Sequence, residues 1–318
     1  MSAAAARVRA PIGENIFEEL WFGDDDPRRS HAEAANSAAA AVAKAVGLRP
    51  FPVAAAQVLQ LLCRDDYDVR KVKRCLEADA GLTAHLMRVA NSPFFRGRYP
   101  YDSIQVALTR LGSRNIQEIL VSAVAIQMFD DTTGLGHEFL QHCAGVAAIA
   151  RTLAKHWRYS GVDQLFLAGL LHDVGKLLCI QSGEVEYVTM PPEVLETPDT
   201  MHLKERELVG YDHAVLGGHV VREWGIPDPV PSVIAWHHQP GRAFQEGGQI
   251  GLMVALLRIA DRIEVEIRSS AYQVLGDELA AHLATDEAMQ FADVPVDQVA
   301  CLWDLLVDAH REAMLMVR

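Results

Sequence analysis

Basic residues are in short supply in this 318-residue chain: 29 lysines and arginines stand against 42 aspartates and glutamates, for a net charge of -13. Phosphate-backbone recognition needs clustered cations, so this balance argues against a nucleic-acid partner. Cysteine is sparse as well. Cys63, Cys75, Cys143, Cys179 and Cys301 are odd in number, widely spaced and never in a C-x-x-C pair, which points to reduced thiols and no disulfides. No apolar run follows Arg7 and Arg9 as a signal peptide would require, and no segment reaches 18 uncharged apolar residues. A cytoplasmic protein without a membrane partner is therefore expected. Alternating strand patterns are scarce too.

What remains is apolar residues at helical spacing, in a chain of which 50% is hydrophobic. The fold class expected is all-α. A body of this size buries roughly three quarters of its unfolded surface, so no metal is needed merely to fold it. Residues 1–29 read as an irregular arm, and Ser30 can cap an Ala-rich helix to about Val46. Helices are then expected after Pro52, after Asp68, over Leu82–Ala90, from Ser103 to Gly112 and from Asn115 to Phe129. The polar stretch Asp130 to Gly136 marks a lobe boundary. Beyond it helices are expected at 137–157, 162–179, 212–224, 229–238 and 248–268, followed by two more. The division is thus 1–47, arm and Ala-rich helix; 48–132, first helical lobe; 133–270, second lobe; 271–318, C-terminal helices.

Chemistry-bearing residues begin after the boundary. His142 shares a helix face with Phe139, Val146, Ile149 and Leu153, which turns it toward a core. The segment Leu165–Leu178 is apolar nearly all round yet carries Asp173, and a buried carboxylate needs a partner, hydrogen bonds or a metal. His172 adjoins it. Downstream lie His213, just inside a helix that Asp212 can cap, the pair His237-His238, and Asp261 one turn after Leu257. Each alone has a plainer explanation. Asp261 could pair with Arg258 or Arg262 on a helix surface, His213 could be an ordinary first-turn residue and Lys176 could snorkel to solvent, while His85, His219 and Cys143 are read as structural.

As a set, the order H…HD…H…HH…D at 142, 172/173, 213, 237/238 and 261 resembles the HD metal-dependent phosphohydrolase superfamily in its two-metal form. The wider segments Leu48–Pro52, Asp79–Leu82, Arg88–Phe95, Ser103-Ile104, Leu111-Gly112, Glu205–Gly210, Trp224–Pro227 and His237–Pro240 are similar to the HDOD family, the HD-related output domain of bacterial signalling proteins. Arg49 and Ala80 depart from the usual pattern, and Gln239-Pro240-Gly241-Arg242 lacks the G-Y-P signature of cyclic-di-GMP phosphodiesterases.

The resemblance implies a first helical lobe packed on an HD-like lobe. It implies that Asp173 bridges two divalent ions, that His142, His172 and Asp261 hold one and His213, His237 and His238 the other, and that Lys176 contacts phosphate. Imidazole and carboxylate without thiolate suit iron, manganese, nickel or zinc, with iron or manganese favoured. Two such ions against two aspartates leave about +2, which attracts a phosphorylated ligand. The function expected is a signalling output module with a protein partner on its helical surfaces, Asn91–Phe95 among them. The alternative is an active metal-dependent phosphohydrolase or phosphodiesterase on a nucleotide-like phosphoester.

Overall fold

Aspartate side chains start two of the first helices. In the computed structural model, which describes residues 40–47, 52–62, 68–92, 95, 97–129, 134–183, 185–187, 190, 198–270 and 277–317, Asp68 caps α2 (Val69–Glu77) and Asp79 caps α3 (Ala80–Ala90). Each carboxylate accepts an amide N–H of the opening turn, from Arg70 and Leu82, that the helix itself cannot satisfy. These two pack with α1 (Val53–Leu62) and α4 (Ile104–Phe129). Val72 and Leu76 of α2 turn inward because they share a face at i, i+4. Gly112 interrupts α4 at φ 74, ψ 167, a conformation glycine adopts without strain, at the place where the sequence separates two helices.

The loop after α3 is tied down at its start. Asn91 Nδ2 donates to the carbonyls of Met87 and Tyr101 while its Oδ1 accepts from Tyr101 N, closing the loop on itself. Ser92 and Phe95 are buried, and the Phe95 ring lies edge-on to Phe166 with centroids 5.9 Å apart. The guanidinium of Arg151 covers both rings at 5.6 and 5.5 Å. Of the expected partner segment Asn91–Phe95, Ser92 and Phe95 thus face inward, because an aromatic side chain gains more from packing against the second lobe than from facing water. Pro93 and Phe94 lie outside the described residues, as do the arm 1–29 and the break Asp130–Thr133; the Ala-rich helix is described only over 40–47, where it is helical.

The second lobe is built on α5 (Leu135–His156), which packs against α6 (Val162–Leu171), α12 (Gly248–Ser269) and the last helix, α15 (Val296–Met316). Between them run α7 (Val174–Ser182), α8 (Pro198–Val209), α9 (His213–Glu223), α10 (Val230–Trp236) and α11 (Gly241–Glu246). The chain continues from α12 through α13 (Asp277–Thr285) and α14 (Glu287–Ala292). Besides the helical stretch at 40–47, the described residues contain 15 helices and no strand, so the fold is all-α as expected.

Four boundaries differ from expectation. The single helix expected over 162–179 is two, because the chain turns at His172-Asp173. In an unbroken helix neighbouring side chains point about 100° apart, whereas the turn lets both face one side. Helices α8 and α11 were not anticipated, and three rather than two helices follow residue 270. Residues 162–182 are the one stretch among those described that is long and apolar enough to cross a membrane, at a hydropathy of 1.3, yet 78% of it is buried inside the fold.

Close helix crossings set the geometry. A Cβ on Gly175 of α7 would lie 2.0 Å from the carbonyl oxygen of His213, so only a hydrogen lets α7 meet the start of α9. Gly175→Ala is expected to cost about 1–3 kcal/mol or more in urea unfolding. Gly241→Ala, where nothing lies within 4 Å of the added carbon, should stay within about 0.5 kcal/mol.

Candidate metal centre

Six helices deliver the side chains. His142 projects from the middle of α5, His172 and Asp173 from the turn between α6 and α7, and His213 from the first position of α9, whose start Asp212 caps by accepting from Val215 N at 2.9 Å. His237 and His238 follow the last residue of α10, and Asp261 lies mid-way along α12. The five histidines gather around Asp173, which is 0% exposed, and Asp261 joins them through His142. Its Oδ1 is 3.1 Å from His213 Nε2 and 3.5 Å from His172 Nε2; its Oδ2 is 3.6 Å from His142 Nε2 and 2.6 Å from Lys176 Nζ. Asp261 Oδ1 sits 3.2 Å from His142 Nε2. The rings of His172 and His237 have centroids 5.1 Å apart, and those of His237 and His238 4.0 Å.

Four of these histidines are oriented the same way. His142 Nδ1 donates to Glu264 Oε2 at 2.5 Å, His172 Nδ1 to the Gly169 carbonyl at 2.8 Å, His213 Nδ1 to Glu205 Oε2 at 2.7 Å and His237 Nδ1 to the Ile234 carbonyl at 2.6 Å. Carbonyls and carboxylates only accept, so the proton belongs on Nδ1 and the neutral ring presents the Nε2 lone pair to the cluster. His237 Nε2 is buried without a hydrogen-bond partner. His238 Nε2 and His213 Nε2 face each other at 3.0 Å, a contact that needs a proton or a cation between the two nitrogens.

The plainer explanations fail here. Arg258 reaches the His237 carbonyl at 2.7 Å and Arg262 reaches Asp286 at 2.9 Å, so neither takes Asp261. Lys176 does not snorkel; it is buried on Asp173, 5.6 Å from the Phe139 ring centre. Burial and the charge of Asp173 push the Cys143 thiol up, so no thiolate joins the set. Sequence reasoning passed over Glu205, Glu264 and His202, whose ring stacks on His238 at 4.7 Å. Glu264 stands at i+3 from Asp261 on one helix face and was legible by that spacing. Glu205 stands on the unanticipated α8, where it also accepts from His213 N at 2.8 Å and from the Tyr187 hydroxyl at 2.7 Å.

One donor atom each from Asp173, His213, His237 and His238 lie within 4.8 Å of one another, and so do those of His142, His172 and Asp173. Asp173 belongs to both groups, as a carboxylate shared by two cation sites would. Pre-set Nε2 atoms, an orphaned His237 nitrogen and exclusively nitrogen and oxygen donors fit divalent transition ions.

Charge shapes the protonation states. Burial alone would push His142 down, but Glu264 and Asp261 outweigh it and hold the imidazole up at about 10; Glu205 and Asp173 hold His213 at about 9 in the same way. Burial and neighbouring imidazoles push His237 and His238 well down. Burial opposes ionisation of Asp173 also, yet His172, Lys176 and His213 keep its carboxyl well below the usual range. A raised histidine stabilises the fold fully below its ordinary 6.5, and this stabilisation is lost as pH rises through its folded value. With chelator present, the melting temperature is therefore expected to fall between pH 7 and pH 9, as calorimetry over that range would record. A flat profile would contradict the assigned charges.

Comparison with known proteins agrees with this architecture. The HDOD domain profile matches residues 48–240. A crystal structure from Shewanella amazonensis, provisionally named a phosphohydrolase, superposes with a TM-score of 0.68 at 24% identity, over 88% of this chain and 97% of that one. A Marinobacter aquaeolei structure, provisionally named a signal transduction protein, gives 0.66 at 20% identity, over 93% and 68%. At such identities the likeness concerns the fold. A Treponema pallidum protein of uncharacterised role is 22% identical over 182 residues, which are 57% of this chain and only 36% of that protein's length. Because the profile spans more than half of the chain and includes Asp173, the five histidines around it and Glu205, the protein belongs to the HDOD family.

Proposed function

We propose that this protein is an HDOD signal-transduction module whose HD-like lobe holds two divalent transition-metal ions, iron or manganese by preference, and binds a phosphorylated ligand beside them. One observation carries the reading: four imidazoles, each with Nδ1 tied to an acceptor, turn Nε2 toward a shared buried carboxylate. His142, His172 and Asp261 would hold one ion, His213, His237 and His238 the other, and Asp173 both. Two ions against Asp173 and Asp261 leave the pocket about +2, which selects an anion. The name of the Marinobacter protein supports a signalling role; a protein partner on the helical surface belongs to the proposal.

Hydrolysis of a nucleotide-like phosphoester is the second reading. The observation favouring it is that every one of the seven donor positions is filled and buried or half-buried. Ions bound there would supply a Lewis acid for the phosphoester and a lowered pKa for water. The chain itself would contribute orientation. Glu205 and Glu264 fix two imidazoles, and Lys176 Nζ, held 2.6 Å from Asp173, brings a cation within reach of a phosphate oxygen.

Elemental analysis after expression in metal-supplemented medium is expected to find two ions per chain, and none in Asp173→Asn. Circular dichroism must accompany the variant, because breaking a buried ion pair costs about 3–5 kcal/mol. A wild-type chain that takes up no transition metal, even on reconstitution, would overturn the proposal. Turnover of phosphoesters at ordinary rates, about 1 per second or more, would favour the second reading over the first.

Ion binding should also release protons. At pH 7 His142 and His213, held at about 10 and about 9, carry protons that a metal ligand must lose. Titration calorimetry in buffers of different ionisation enthalpy should show net proton release, and affinity rising from pH 6 toward pH 9.

A further inference from the structure

The family profile ends at residue 240, well before α15 begins. That helix nevertheless packs along α5, the helix that carries His142. Its inner face is apolar, with Leu302, Leu306, Val307 and Ala313 buried, except for His310, which is 1% exposed. A leucine would fill such a position at no polar cost. His310 instead donates from Nε2 to Glu264 Oε1 at 3.2 Å, on the same carboxylate whose Oε2 takes the His142 Nδ1 proton.

The local packing is arranged around this relay. Gly145 lies three residues beyond His142 on α5, and a Cβ there would come within 2.7 Å of His310 Cδ2 and 2.8 Å of Glu264 Cγ. Glycine is thus what lets the imidazole and the carboxylate meet. Arg268 Nε also reaches Glu264 Oε1 at 3.2 Å, but its side chain is 44% exposed and its hold is weakened by water. His310 is the buried donor, supplied by the element most distant in sequence.

We propose that His310 is a positioning residue: through Glu264 it fixes the ring of His142, and it thereby makes occupancy of the ion site at His142, His172 and Asp173 depend on docking of the C-terminal helix. The inference rests on the two-ion reading above. It adds that this one site, and not the site at His213, His237 and His238, answers to α15.

Manganese loading of the full-length chain, followed by chelator competition and elemental analysis, tests it. In His310→Leu one of the two ions should bind about 10–100-fold more weakly and the other as before, while His310→Gln, which keeps an N–H donor, should stay within about threefold of wild type. Folded His310→Leu that binds both ions as wild type does overturns the inference and leaves the two-ion reading standing. A wild-type chain that binds no ion overturns the reading, and the inference with it. A measurement on the unmodified chain covers the case in which the leucine variant does not fold. By reciprocity, manganese should slow amide exchange over residues 302–314 more than over α2, and equal slowing in both overturns the inference.

Discussion

A carboxylate with no exposure to water governs this structure. Asp173 sits between two apolar helices, and an isolated charge there would cost several kcal/mol even after relaxation. The surroundings meet that cost by bringing nitrogen to it from four directions: His142, His172, His213 and Lys176 all stand within 3.6 Å of its oxygens. Those nitrogens must in turn be aimed, which is why acceptors are found behind the rings. The Gly169 carbonyl serves His172, Glu205 serves His213 and Glu264 serves His142, and the Ile234 carbonyl does the same for the neighbouring His237. Burial of one side chain thus dictates an outer layer of polar partners as much as an inner one.

Holding that layer in place requires helices closer than side chains ordinarily allow. Gly169 touches the backbone of Ala147, Gly175 that of His213, and Gly218 that of Pro231, each at a distance a Cβ would make impossible. These contacts join α6 to α5, α7 to α9 and α9 to α10, the junctions from which the histidines project. A glycine inside a helix weakens it by roughly 0.5–1 kcal/mol relative to alanine, so its use at three such crossings is offset by the packing it permits.

The inner layer was legible in the sequence and the outer layer largely was not. Periodicity placed His142 on a core face, and a carboxylate inside an apolar run identified Asp173 before any coordinates. His213, His237, His238 and Asp261 followed from order along the chain. What periodicity could not supply was the turn at His172-Asp173, since an apolar run reads as one helix wherever the chain is hidden on all sides. Nor could it supply α8, whose alternation of charged and apolar residues from Pro198 to Val209 carries a weak helical face, so Glu205 opened a family-like segment without a visible place in the site. His310 was invisible for another reason: its partner Glu264 is 46 residues away, and only the packing of α15 on α5 brings them together.

The charge balance explains how such a site can belong to a stable chain of this size. Asp173, Asp261, Glu205 and Glu264 contribute four carboxylates, and Lys176, Arg268 and the protonated rings of His142 and His213 contribute four cations. With His142 and His213 held up at about 10 and about 9, protons balance the centre at pH 7, so an ion is not needed to offset its carboxylates. On the two-ion reading, metal uptake would be an exchange of cations for protons. Occupancy would then be set by pH, by ion supply and by how firmly the outer carboxylates are held.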